Sequence, residues 1–153
     1  MTSTLEFHDI EPGFTQHAGP YLVTEAEIVE FATRWDPRPL HIDKAAADAG
    51  PLQGLTASSS HTLAIRTRLL LEIAPPFPSL IATMGWQDLR LPKPVRPGHA
   101  LSLALTWLDK RTSRSNSTLG ILRQRIVMTN QHDDTVLDYI DTVGMRIVAA
   151  GEP

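Results

Sequence analysis

The sequence contains no cysteine, and this absence limits its chemistry. A disulfide framework, a thiolate nucleophile and a cysteine-ligated zinc site are all excluded. An excess of charge of one sign is also missing, because 14 lysines and arginines stand against 17 aspartates and glutamates, for a formal net charge of -3. Nucleic acid and anionic membranes are therefore disfavoured as main partners. An anionic ligand would have to be bound by a local group of cations.

Long apolar runs are lacking as well. The most apolar stretch, 63–74, is shorter than the roughly 20 residues of a membrane-spanning helix, and it is interrupted by charged side chains. The N-terminal segment MTSTLEFHDIEPG has acidic residues where a secretory signal has a basic start and an apolar run. We therefore expect a cytoplasmic protein. A chain of 153 residues fits one compact domain, and we expect a single domain over 1–153.

Helix signals dominate the first half of the chain. The tetrapeptide TEAE from Thr24 to Glu27 matches a capping box, in which Thr24 and Glu27 satisfy each other's free backbone N–H groups. Apolar residues then recur at helical spacing up to the prolines that follow Asp36. This pattern predicts a helix over 24–35, a proline-stiffened loop over 36–43, a short helix over 44–49 and a long buried helix over 59–74.

Strand signals fill the second half. Four runs rich in Ile, Val, Leu and Thr, separated by Pro-Gly or polar turns, predict strands over 80–91, 100–110, 119–129 and 136–148. Their connections favour antiparallel neighbours. Helices followed by a strand meander predict an α+β fold, in which one long helix is wrapped by an antiparallel sheet.

The densest polar cluster is the loop DPRPLHID at 36–43. Its Asp36 and His41 could both reach one water molecule, and a carboxylate beside an imidazole suits general acid–base catalysis near neutral pH. The spacing alone leaves a structural role open, in which Asp36 ends the helix and His41 only packs. Together with Asp43 the two residues could also bind a metal ion, although their spacing is not specific for zinc.

Three serines, Ser58, Ser59 and Ser60, stand at the expected start of the long helix and are followed by His61. Backbone N–H groups at a helix start can stabilise an oxyanion. The serines could equally act only as helix caps. A serine hydrolase is disfavoured, because the Gly-x-Ser-x-Gly elbow is absent and neighbours in sequence do not make a catalytic triad.

Three stretches together resemble the MaoC-like dehydratases, a family that includes the R-specific enoyl-CoA hydratases. The loop DPRPLHID fits the family's hydratase loop, GLTASSSHT at 54–62 is similar to its helix start, and 89–98 is similar to the strand and turn that follow. The resemblance implies a hot-dog fold, at least a dimer, and reversible syn addition of water to a trans-2-enoyl-CoA, giving the (R)-3-hydroxyacyl-CoA. It implies no metal or redox cofactor. It assigns acid–base roles to Asp36 and His41 and gives the thioester oxygen to the amides around Ser59.

Two departures from the family pattern keep alternatives open. Arg38 stands where Asn or Gln is usual, and Ser59 stands where the helix start usually has Gly. Ser59 favours a hot-dog protein that binds acyl-CoA, or serves as an accessory subunit, without turning it over. A hot-dog thioesterase would need a carboxylate on the central helix, where this chain has only Glu72 at the far end.

The phosphates of CoA require local cations in a net-acidic protein. Arg90, Lys93 and Arg96 are the candidates, with Arg66 and Arg68 on the long helix as a second group.

Overall fold

The computed structural model of the chain describes residues 4–148. Within these residues the chain forms five strands and four helices. In chain order they are β1 Thr15–Leu22, α1 Glu25–Trp35, α2 Pro39–Ile42, α3 Lys44–Ala49, α4 Ser59–Leu70, β2 Leu80–Arg90, β3 Ala100–Thr112, β4 Leu119–Thr129 and β5 Thr135–Arg146. Among residues 4–148, no helix has the length and apolar character needed to cross a membrane.

The start of α1 follows the prediction, but only half of the capping box forms. Thr24 Oγ1 accepts the Glu27 N–H at 3.2 Å. The Glu27 carboxylate does not return the bond to Thr24. It accepts the Tyr21 hydroxyl at 2.6 Å and lies 3.0 Å from the His61 ring. The helix ends at Trp35, and the Asp36 N–H donates to the Ala32 carbonyl as the C-cap. Asp36 is thereby fixed at the end of α1.

The sheet is antiparallel throughout, with strand order β1-β3-β4-β5-β2. The predicted meander is correct for β3, β4 and β5. The expectation that β2 pairs with the next strand is wrong, because β2 pairs with β5 at the far edge. The reason is the connection 91–99, which contains three prolines and is not a tight turn. It leads across to β3 and contributes to the site described below.

Strand β1 was not predicted from the sequence, and it pairs with β3 at the other edge of the sheet. The strand contains Gly19 and Pro20, and its register shifts between Ala18 and Tyr21. Proline cannot donate to a ladder and is confined to edges and bulges, so the sequence signal of this strand is weak. A strand that contains this proline can therefore occupy the edge of the sheet but not its centre.

The long helix α4 is shorter than predicted, ending at Leu70 instead of residue 74. The Glu72 and Ile73 N–H groups bond to carbonyls three residues back, which is the tighter geometry of a helix end. Pro75 and Pro76 then prevent continuation. Only one side of α4 is buried, through His61, Thr62, Ile65, Arg66 and Leu69, so the prediction of a buried helix is correct for that side alone.

The core lies between α4 and the sheet. Ile65 and Leu69 of α4 belong to one cluster with alternating residues of the three central strands, which include Leu103, Trp107, Leu122, Ile126, Tyr139 and Val143. The segment before α4 is joined to its surroundings by backbone bonds. The Thr56 N–H donates to the Leu40 carbonyl and the Ala57 N–H to the Val95 carbonyl. The start of α4, the loop 36–43 and the connection 91–99 therefore meet at one place.

Candidate active site

His41 lies in the single turn of α2, which forms inside the segment predicted as a loop because Pro39 can occupy a first helical position. The residue is 3% exposed. Its Nδ1 lies 2.5 Å from the Thr56 carbonyl oxygen. Because a carbonyl can only accept, Nδ1 must carry the hydrogen, and the neutral ring has its lone pair on Nε2. The Thr56 carbonyl thus selects the tautomer in which Nε2 can act as a base.

Asp36 faces this nitrogen from the end of α1. Asp36 Oδ2 lies 3.6 Å from His41 Nε2, which is too long for a direct hydrogen bond. Both atoms are acceptors when the ring is neutral, so one water molecule beside them can donate an O–H to each. The structure therefore brings the two predicted residues to a separation that one water molecule beside them can bridge.

Arg38 binds the same carboxylate, which the sequence analysis did not foresee. Its Nε donates to Asp36 Oδ1 at 2.7 Å and its Nη2 to Oδ2 at 2.6 Å. These hydrogen bonds, helped by the positive charges of Arg38 and His41, hold the pKa of Asp36 below its ordinary value. Asp36 is therefore ionised at neutral pH.

A cavity of about 380 Å³ opens beside His41. It lies where the loop 36–43, the start of α4 and the connection 91–99 meet. Apolar side chains make up much of its wall, as in most small-molecule sites. The lining residues are Arg38, Leu40, His41, Leu52, Thr56, Ala57, Ser59, Thr62, Leu91, Pro92, Lys93, Pro94 and Val95.

The three serines at the start of α4 have different environments. Ser58 is buried and is the N-cap, since its Oγ accepts the His61 N–H at 3.1 Å. Ser59 is exposed and lines the cavity, whereas Ser60 is exposed outside its lining. Ser59 is not among the described residues with positive φ, so the serine in place of the usual glycine does not strain the backbone. In the described chain, the Ser59 and Ser60 N–H groups have no bond to another part of the protein.

Of the three cations proposed for CoA phosphate, only Lys93 lines the cavity. Arg90 is at the end of β2, outside the lining. Arg96 is half-buried, and its Nη2 donates to the Leu52 carbonyl at 2.5 Å. A Cβ at Gly54 would come within 2.9 Å of Arg96 Nη1, so the arginine packs against that glycine. Arg90 and Arg96 thus lie outside the lining of this cavity, but Arg96 lines a neighbouring cavity together with Lys93, and a phosphate contact by either arginine stays a prediction.

The second group of cations is not at this cavity either. Arg66 is buried and stacks on the rings of Trp86 and Tyr139, 5.0 and 5.5 Å from their centroids. Arg68 is exposed and pairs with Glu72 at 3.5 Å. Glu72 thus lies beyond the end of α4 in an ion pair with Arg68. It does not face the helix start, where a thioesterase carboxylate would be needed.

The metal-site alternative gains no support from the geometry. The Asp43 side chain accepts the Ala46 N–H at 3.1 Å and so caps α3. Between residues 4 and 148, no group of three or more potential metal-binding side chains comes together.

A second cavity of about 400 Å³ lies on another side of α4, between α1 and β1. In it His61 Nε2 lies 3.0 Å from Glu27 Oε1, and the imidazole stacks on Phe31 with centroids 4.5 Å apart. The Tyr21 hydroxyl also donates to Glu27. Burial is the larger cause and this hydrogen bond the second cause that raise the pKa of Tyr21 to about 12. The His61 ring is thus engaged with Glu27, while the Ser58 hydroxyl accepts a hydrogen bond from the His61 backbone N–H and not from its ring. This arrangement is not that of a serine hydrolase.

Three comparisons with known proteins bear on this site. A family model described as a MaoC like domain matches residues 10–128. The Bacillus subtilis protein YdeM is 32% identical over 116 residues, which cover 76% of this chain and 81% of that protein. The crystal structure of a MaoC-like dehydratase from Rhodospirillum rubrum is 31% identical, with a TM-score of 0.88 over 95% of this chain and 99% of the other.

A more distant match shows the fold alone. The unliganded R-hydratase from Pseudomonas aeruginosa is 21% identical, with a TM-score of 0.73 over 98% of this chain and 94% of the other. The two structural matches confirm the α+β hot-dog fold predicted from the sequence.

Proposed function

The chain belongs to the MaoC-like domain family of hydratases and dehydratases, and on that premise we propose that it adds water reversibly to a trans-2-enoyl-CoA, giving the (R)-3-hydroxyacyl-CoA. The observation that supports this function is the pairing of His41 Nε2 with the Asp36 carboxylate across a gap of 3.6 Å. His41, although not Asp36, lines a cavity whose wall is largely apolar, as an acyl thioester would need.

In the proposed reaction, a water held between Asp36 and His41 attacks the β-carbon of the enoyl group. Its oxygen forms the new C–O bond while one of its protons passes to His41 Nε2, and the π electrons move toward the thioester oxygen. The α-carbon then takes a proton from the protonated pair on the same face, which restores the base. Addition is syn, and the sum is one water added across one double bond.

The negative charge that develops on the thioester oxygen needs donors. The Ser59 and Ser60 N–H groups are suitable, because they lie at the start of a 12-residue helix and the helix dipole favours negative charge there. Ser58 supports them as the cap. The addition of water changes no net oxidation level and uses proton transfer to and from side chains, so the proposal requires no metal or redox cofactor, and we place the protein in the cytoplasm.

One observation favours the alternative of an acyl-CoA-binding or accessory subunit. Both oxygens of Asp36 already accept hydrogen bonds from Arg38, which leaves the carboxylate fewer free acceptor positions for a reacting water. Without turnover, such a chain would still bind its ligands in the same cavity.

The test is hydration of crotonyl-CoA and longer trans-2-enoyl-CoAs by the wild-type protein, followed as loss of the enoyl absorbance. Loss of absorbance without release of thiol supports the hydratase. Release of free CoA would indicate a thioesterase. Binding of the same thioesters without either change would indicate the accessory subunit and would contradict the proposed reaction.

Lys93 is the proposed contact for CoA phosphate. We expect Lys93→Glu to raise KM roughly fivefold or more with little change in kcat, because it removes an exposed ion pair worth about 1 kcal/mol and adds repulsion. Arg90→Glu is the matched control, since Arg90 is outside the cavity lining. Equal KM values for wild type and Lys93→Glu would remove Lys93 from the site.

We also propose that the protein is a homo-oligomer based on a dimer. Strand β2 is an edge of the sheet and exposes Ile81, Met84 and Trp86, at 60%, 56% and 46%. An exposed edge with apolar side chains is usually covered by another chain. Antiparallel pairing of β2 with β2 of a second copy would join the two five-stranded sheets.

A lysine at this edge should oppose pairing. We expect Met84→Lys to lower the molar mass measured by light scattering from twice to once the 16.9 kDa of the chain. Leu22→Lys, at the other edge strand and also exposed, should leave the dimer intact. A wild-type protein that is monomeric at micromolar concentration would contradict this assembly.

A further inference from the structure

The backbone of Arg38 is bonded to both members of the candidate pair. Its N–H donates to the Asp36 carbonyl at 2.8 Å, and its carbonyl accepts the His41 N–H at 2.9 Å. Prolines stand on either side of it, and its own φ of -79° and ψ of 144° are the extended values preferred before proline. The backbone of Arg38 is therefore held in place, and its side chain extends back toward Asp36.

The side chain holds the Asp36 carboxylate at two points. The Nε and Nη2 donors each bind a different oxygen, and this two-point geometry fixes the plane of the carboxylate as well as pairing its charge. The Arg38 side chain is 63% exposed, whereas the side chains of Asp36 and His41 are 20% and 4% exposed. The arginine thus acts from the solvent side on a pair that faces the interior.

A carboxylate left free beside an imidazole would close on it. It would favour the protonated ring and form a direct hydrogen bond, and the gap needed for water would be lost. We propose that Arg38 is a positioning residue for the Asp36–His41 pair: by occupying both carboxylate oxygens, it keeps Asp36 from closing on His41 and leaves room for one water. The proposal rests on the proposed function for the role of that water, and on the hydrogen-bond geometry for the spacing.

The pH dependence of the pair follows from its charges. The groups that act on Asp36 within residues 4–148 are Arg38 and His41. Arg34 of α1 stacks on Trp35 instead, and Lys93 lines the cavity on the other side of His41. Without Arg38, the lowered pKa of Asp36 would rise toward its ordinary value. Because Asp36 must be ionised to accept a hydrogen bond from the water, this change moves the acidic limb of kcat/KM upward in pH.

The first experiment is the pH profile of kcat/KM for wild type, Arg38→Gln and Arg38→Lys, each checked for folding by circular dichroism. We expect the acidic limb to move up by about one pH unit in Arg38→Gln, the scale of a nearby opposite charge. Arg38→Lys retains the charge and should recover most of this shift, while it loses the two-point hold and some turnover. Profiles with the same acidic limb in all three proteins would overturn the proposal, even if kcat falls.

The second experiment needs no substrate and separates this proposal from the hydratase function. The side-chain carboxyl carbon resonance of Asp36, identified by its loss in Asp36→Asn, is followed against pH by NMR, because the hydrogen bonds from Arg38 hold the pKa of Asp36 below its ordinary value. We expect its titration midpoint to be about one pH unit higher in Arg38→Gln than in wild type. If the wild type is inert but the midpoint moves, the hydratase function fails and the role of Arg38 in holding the pair apart stands. An unchanged midpoint overturns that role.

Discussion

His41→Gln is expected to lower kcat/KM for enoyl-CoA hydration at least about a hundredfold, the lower end of what a positioned acid–base group contributes. Glutamine is close to histidine in size, and its amide N–H can still donate to the Thr56 carbonyl, which accepts from His41 Nδ1 at 2.5 Å. What it cannot do is take a proton at the position of Nε2. The loss should therefore fall on turnover and not on folding.

Asp36→Asn is expected to give a loss of similar size. The amide preserves the shape of the carboxylate but removes its charge, and if its NH₂ group moves closer to His41 Nε2 than the present 3.6 Å it can donate to that atom and block the lone pair. Arg38 would lose its partner, but it is 63% exposed and can be solvated by water. Because the two residues act on one water, the double variant should be little worse than either single one.

The measurement is the initial rate of enoyl absorbance loss at saturating and limiting substrate. His17→Gln is the matched control, because His17 is exposed on β1 and outside the cavity. It should have wild-type kinetics. A loss of less than tenfold in both His41→Gln and Asp36→Asn would contradict acid–base catalysis by this pair.

The parts of the fold that sequence predicted well are those whose signals are local. The cap at Thr24, the short helix α3 and the strand β4 lie where their own residues require them. The pairing of Asp36 with His41 belongs to the same class, since the prolines between them limit the loop to few conformations. Local stiffness made the central pair of the candidate site predictable.

The parts that sequence did not predict depend on contacts between distant segments. The Thr56 carbonyl that orients His41 is a backbone group, so no residue type marks it. The place of β2 at the sheet edge depends on which strand it pairs with, and the runs of apolar residues do not specify partners. Arg96 was proposed from its charge, whereas its contacts with Gly54 and the Leu52 carbonyl depend on how distant segments pack.

Arg38 is an intermediate case. It was visible in the loop as a departure from the family pattern, but its contact with Asp36 depends on the side-chain rotamer as well as on the backbone. Sequence identifies a cation two residues from a carboxylate, and only the structure shows that both carboxylate oxygens are engaged.

Trp107→Ala is expected to lower the free energy of unfolding by about 3–5 kcal/mol, which is the usual cost of deleting a large buried aromatic side chain. Trp107 of β3 is 1% exposed and packs edge-on against Phe77, with ring centroids 5.7 Å apart. Its indole N–H donates to Gln16 Oε1 at 3.0 Å, and the Gln16 amide donates in turn to the Pro75 carbonyl. The residue thus joins β3, β1 and the segment that follows α4.

Two further variants separate the contributions. Trp107→Phe retains an aromatic ring but leaves Gln16 Oε1 without its donor, a buried acceptor whose loss costs about 1–3 kcal/mol, so we expect an intermediate loss. Trp35→Ala removes a tryptophan that is 65% exposed and should change stability by no more than about 0.5 kcal/mol. Urea unfolding, followed by far-ultraviolet circular dichroism, gives all three values on the same scale.

The comparison of Trp107→Ala with His41→Gln also separates folding from catalysis. Single domains have about 5–15 kcal/mol of stability in total, so Trp107→Ala should unfold at much lower urea concentration. Because Trp107 is outside the cavity lining, the fraction that remains folded should retain the wild-type kcat/KM. His41→Gln should show the reverse, with wild-type unfolding and lost turnover. A loss of turnover in Trp107→Ala beyond its unfolded fraction would mean that the core positions the candidate site more directly than these contacts indicate.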